Sequence, residues 1–143
     1  MNETTKKGVI SPHAALVYTM VLVSAADRDM SDAELRAIGQ IVHSLPVFDD
    51  YDTALLPRTA EACAEMLGAE NGLENAFTLI RDALPPVLIE TAYVLACDIA
   101  AADGDEVNQE KLRVLEMMRD RLDVDRLAAA AIEHAAAARF RTL

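Results

Sequence analysis

Apolar residues recur at three- and four-residue intervals along most of the chain, and that period predicts helices throughout. Ser11-Pro12 is a helix cap followed by proline at the first helical position, so the first helix starts there. From His13 to Ala26 this helix is apolar around nearly its whole circumference, with Leu16, Val17, Met20, Val21, Leu22 and Val23. Such a helix has almost no water-facing side and belongs at the centre of the fold. A second helix follows Ser31, carries Leu35, Ile38, Ile41 and Val42 at helical spacing, and ends before Pro46. Val47 to Asp52 reads as a loop anchored by Phe48 and Tyr51. The next helix carries Leu55, Leu56, Ala60, Cys63, Ala64 and Leu67, with Pro57 at its start or in its first turn. Gly68 to Gly72 breaks the pattern, and Leu73, Ala76, Phe77, Ile80 and Leu84 resume it until Pro85-Pro86. Val87 to Ala102 is a second strongly apolar helix. After it, Leu112, Leu115, Met118 and Leu122 repeat the spacing of Leu35, Ile38, Ile41 and Leu45. Asp123-Val124-Asp125 then opens an Ala-rich helix to Arg139. The expectation is an all-α, single-domain bundle of about seven helices.

Two acidic stretches organise this succession: Ala26-Asp27-Arg28-Asp29-Met30-Ser31-Asp32-Ala33-Glu34 and Ala102-Asp103-Gly104-Asp105-Glu106-Val107-Asn108-Gln109-Glu110. Each follows a strongly apolar run and leads into an amphipathic one. Laid over one another they match Asp27 with Asp103, Asp29 with Asp105 and Glu34 with Glu110, and both contain a good N-cap, Ser31 or Asn108. The second copy holds one extra residue before its cap. The chain therefore reads as a duplicated helix–acidic loop–helix unit plus the segments that join and cover the two copies. Residues 1–10 are expected to be a flexible tail and residues 11–143 the helical domain.

Composition narrows the function. A formal net charge of -11 argues against nucleic-acid phosphates as a partner. It suits cations, a basic protein surface, or simple solubility. The longest apolar stretches, Ala14 to Ala26 and Thr91 to Ala102, are too short to span a bilayer. Cys63 and Cys97 stand alone in apolar runs, with no C-x-x-C and no histidine at ligand spacing, which fits buried thiols in a reducing cytoplasm. His13, His43 and His134 are scattered, and Glu90 and Asp98 read as a solvated stripe or as extra ligands. No nucleophile elbow, P-loop or dinucleotide fingerprint is present, so no enzyme activity is expected.

The candidate chemistry lies in the loops. An aspartate at a helix C-terminus sits among unpaired carbonyls and is disfavoured by about 0.3–1 kcal/mol. A second Asp two residues on, and a Glu in the next first turn, add repulsion that a hard cation would relieve. Carboxylate and carbonyl oxygens are the ligands of Ca²⁺ and Mg²⁺. The same residues also have a purely structural account. Asp29 and Asp105 suit tight turns, and Glu34 stands at capping-box spacing from Ser31. Neither loop is an EF-hand, since Ile38 and Val114 occupy the twelfth positions.

An apolar helix ending in Ala-Asp-Gly-acidic, followed by a capped helix and occurring twice, resembles the tellurite-resistance TerB-like family. Ala101-Ala102-Asp103-Gly104-Asp105-Glu106-Val107 is the best copy, and the resemblance runs from Pro12 to Val124. It implies an all-helical cytoplasmic protein, linked to bacterial stress responses, with a divalent-metal site. On the matching positions that site is Asp27, Asp29, Glu34, Asp103, Asp105 and Glu110. The alternative is a scaffold that meets a basic protein partner with its acidic face and needs no metal. Two departures bear on the site: Arg28 stands where the second copy has Gly104, and Lys111 lies at the capping-aligned equivalent of Glu34. The second departure predicts that Glu110 points elsewhere.

Overall fold

The computed structural model describes residues 9–27, 30–102 and 107–143. Among these, seven α-helices follow in order: α1 (Pro12–Ser24), α2 (Asp32–Ser44), α3 (Leu56–Leu67), α4 (Gly72–Ala83), α5 (Ile89–Ala101), α6 (Gln109–Arg121) and α7 (Arg126–Arg139). Short 3-10 turns at Pro46–Phe48, Thr53–Leu55 and Pro86–Leu88 complete the connections, and no strand occurs among the described residues. The all-α expectation holds. Residues 1–8 of the expected tail lie outside the described residues.

The Ser11 hydroxyl accepts the Ala14 amide at the start of α1, and Pro12 follows it, as the sequence predicts. Ten consecutive residues, Ala15 to Ser24, are buried, because α1 is covered by α3, α4 and α5. Each wholly buried aliphatic side chain such as Leu16 contributes roughly 1.5–3 kcal/mol relative to exposure. In α1 the buried Thr19 is satisfied locally, its hydroxyl donating to the Ala15 carbonyl at 2.8 Å. Its counterpart α5 buries Tyr93, Leu95, Ala96 and Ile99 and packs against both α1 and α7, the latter burying Ala129 and Ala136.

The boundaries differ from the sequence reading in two places. The second apolar helix starts at Ile89, because Pro86–Leu88 winds as a 3-10 turn that leaves Val87 exposed. Asp123 closes α6 instead of opening α7. It adopts the left-handed region (φ 54) while the Val124 amide donates to the Arg119 carbonyl at 3.0 Å, a Schellman-type ending. Asp125 is the cap of α7 and accepts the Ala128 amide at 3.0 Å.

The turn between α3 and α4 is closely packed. Asn71 adopts φ 57, and Gly72 packs under the end of α3. A Cβ at Gly72 would overlap the Met66 carbonyl oxygen and lie 2.9 Å from the Leu67 Cα, both of them backbone atoms. Gly72→Ala is therefore expected to destabilise the protein by about 1–3 kcal/mol or more, read as a lower urea midpoint.

Candidate functional site at the acidic loops

The two repeat units each consist of a pair of thirteen-residue helices, α1 with α2 and α5 with α6. Their second helices both begin with a side-chain cap on the third amide. Ser31 caps α2 by accepting the Glu34 amide at 3.1 Å, and Asn108 caps α6 by accepting the Lys111 amide at 2.9 Å. Glu34 completes the predicted capping box, since its Oε1 accepts the Ser31 amide at 3.1 Å.

Glu34 is nevertheless no surface cap. It is wholly buried, and the same Oε1 accepts the Ser24 hydroxyl at 3.1 Å from the end of α1. Its Oε2 faces the Lys111 ammonium at 2.9 Å. That ammonium also donates to Asp27 Oδ2 at 2.9 Å, and Asn108 Nδ2 donates to the same oxygen at 2.6 Å. Lys111 is only 4% exposed. The first turns of α2 and α6 thus meet through one ammonium shared by two carboxylates.

A lysine in a first helical turn is locally disfavoured by the helix dipole, so its position depends on these partners. Burial pulls its pKa down, but the hydrogen bonds and charges of Asp27 and Glu34 outweigh burial and hold it above the ordinary lysine value. The ammonium stays charged. Leu35 and Leu112, the residues that follow, were expected on the apolar faces but are each 49% exposed. The reason is rotational: the charged residue of each first turn faces inward to form the ion pair, which directs its neighbour outward.

Of the six predicted ligands, Asp27 and Glu34 are brought together. Glu110 is exposed beside Arg113, as the capping alignment anticipates. Asp29, Asp103 and Asp105 lie outside the described residues. Among the described residues no group of three or more His, Cys, Asp or Glu is placed to hold a metal ion. Asp27 and Glu34 are bridged instead by the Lys111 ammonium, 2.9 Å from an oxygen of each. Lys111 is the residue that sequence reasoning missed in this role. Its signal was present in the register that matched it with Glu34.

Asp98 accepts from Arg139 at 2.7 Å, and Glu90 is exposed. Burial pushes the Cys63 and Cys97 thiols up to about 12, so both are poor nucleophiles. A groove of about 390 Å³ between α5, α6 and α7 is lined by Cys97, Leu115 and Ala136. At its polar end Glu133 Oε2 accepts the Tyr93 hydroxyl at 2.5 Å and Arg119 at 2.7 Å. Burial, then the bond to Glu133, raises the Tyr93 pKa. His13 bonds the Val47 carbonyl at 2.9 Å and stacks on Phe48, fastening the predicted anchor loop to α1.

No single helix among the described residues is long and apolar enough to cross a membrane. No curated protein and no solved structure matches the chain. A family model described as tellurite resistance protein TerB matches residues 13–134, from the first turn of α1 into α7 and across both acidic loops, and the chain belongs to that family.

Proposed function

We propose that this chain is a non-catalytic interaction module of the tellurite-resistance type, which meets a basic, amphipathic segment of a partner protein with its acidic loop end. The observation that carries this reading is the internal ammonium: Lys111 bridges Asp27 and Glu34 at 2.9 Å from each, a counter-charge supplied from within the chain. Two further features support it. The net charge of -11 favours a cationic partner, and the half-exposed Leu35 and Leu112 supply apolar contacts beside the loops.

A synthetic lysine- and leucine-rich amphipathic helix, followed by fluorescence anisotropy, tests the reading. Affinity is expected to fall several-fold between about 0.05 and 0.5 M salt and to be unchanged by EDTA. Leu35→Ser with Leu112→Ser is expected to weaken it about tenfold or more. Binding indifferent to salt and to both leucines sinks the proposal.

A second reading is divalent-cation binding by Asp27, Asp29, Asp103 and Asp105, with Ca²⁺ or Mg²⁺ suited to such oxygen donors. It is favoured by the Asn108–Asp27 bond, which draws the cap of the second loop onto the acid of the first. In this reading Glu34, wholly buried behind Lys111, and Glu110, turned to solvent, are not ligands, whereas Asp27 is partly exposed. Calorimetric titration with Ca²⁺, Mg²⁺, Mn²⁺ and Zn²⁺ decides it, since no heat with any of them removes it.

A further inference from the structure

We infer that Lys111 is a fixed internal counter-ion: its ammonium holds the position at the loop junction that a divalent cation would need to fill if both repeats carried a carboxylate there. Residue 111 thereby decides which kind of cation closes the module. The inference starts from the register of the two repeats. Counted from the caps Ser31 and Asn108, Glu34 and Lys111 occupy the same third position, and each cap bonds the amide of that residue. These two equivalents meet in space, with 2.9 Å between Lys111 Nζ and Glu34 Oε2. Asp27, from the end of the first repeat's apolar helix, touches the same nitrogen at 2.9 Å.

A carboxylate at position 111 would place three negative groups where Glu34 is wholly buried and Lys111 nearly so. Like charges at that burial do not stay ionised together without a cation: either a carboxyl takes up a proton, or the all-oxygen set recruits a hard divalent ion. Lysine meets the charge from within the chain. The junction therefore assembles whatever the divalent-cation supply, and no chelator can strip it. An internal ammonium makes the arrangement of α2 and α6 permanent, where a bound metal would make it conditional. This shares the Lys111 ammonium with the partner-binding reading but goes beyond it, and its test needs no partner, so the two can fail separately.

Thermal melts of the full chain in EDTA and in millimolar Ca²⁺, Mg²⁺ or Mn²⁺ test the inference. The variants are Lys111→Glu and Lys111→Gln, each alone and combined with Glu34→Gln, together with Glu34→Gln in the otherwise wild-type chain. Lys111→Glu is expected to melt lower than wild type in EDTA and to gain roughly 5 °C or more from at least one cation. Glu34→Gln is expected to abolish that gain. Lys111→Gln leaves two carboxylates and no ammonium, and a smaller gain is expected from it. It decides the matter if Lys111→Glu fails to fold even with cation. In wild type no part of any melting shift should depend on Glu34. A wild-type shift that Glu34→Gln abolishes, or the absence of a cation-dependent gain in both Lys111 variants, overturns the inference.

Discussion

Replacing Lys111 with methionine is expected to destabilise the protein by about 3–5 kcal/mol, the range for breaking a buried ion pair by removing one partner. The corresponding fall in melting temperature, ~10 °C or more, is readable by circular dichroism. The lost attraction is the smaller part of this. Glu34 remains wholly buried with its Oε2 no longer facing a cation, and an uncompensated buried charge is what makes the change costly. The Arg121–Glu74 pair makes the contrast. It is as short, at 2.7 Å, and Arg121 lowers the Glu74 pKa, yet it lies in water, so its removal should be barely measurable. Combining Lys111→Met with Glu34→Gln should recover much of the loss, because the glutamine oxygen can still accept from Ser24 and Ser31 without carrying charge. The pH dependence follows from the raised Lys111 pKa. The folded state binds this proton more tightly than the unfolded chain, so the contribution is complete below the unfolded value of about 10.4. It is lost as pH rises through the folded value. Wild type should therefore lose stability on the alkaline side, and Lys111→Met should lack that part of the loss.

Leu16→Ala should cost about 2–5 kcal/mol, because the side chain is wholly buried in the middle of α1 and α1 is enclosed by three other helices. The loss combines the transfer energy of the removed carbons with a cavity that rigid neighbours on α3, α4 and α5 cannot all close. Urea unfolding should show a lower midpoint with an unchanged slope. Leu127→Ala, on the outer face of α7 and 80% exposed, should change stability by no more than about 0.5 kcal/mol. Equal losses at the two sites would contradict the placement of α1 at the centre.

Much of the architecture was legible because its causes are local. Ser11-Pro12, Ser31 and Asn108 each satisfy orphan amides within three residues, so the starts of α1, α2 and α6 could be named from a short window. The apolarity of Leu16 to Val23, interrupted only by Tyr18 and Thr19, required burial on all sides wherever the helix lay. Errors arose where local rules competed. Asp123 reads as a helix opener, but its tolerance of the left-handed region let it close the preceding helix. Leu35 and Leu112 satisfy the apolar period, yet a more demanding inward-facing partner displaced both to the surface.

The sequence by itself determined a helical chain with a buried first helix, a duplicated loop unit and an excess of negative charge at the loops. Only the tertiary structure decided which cation those carboxylates meet at their junction. Lys111 is 84 positions from Asp27, and taken locally a lysine in a first turn belongs in water. Its burial is favourable only because both carboxylates arrive from another part of the chain. The energy of such a contact depends on the simultaneous desolvation of all its partners, which no stretch of sequence carries.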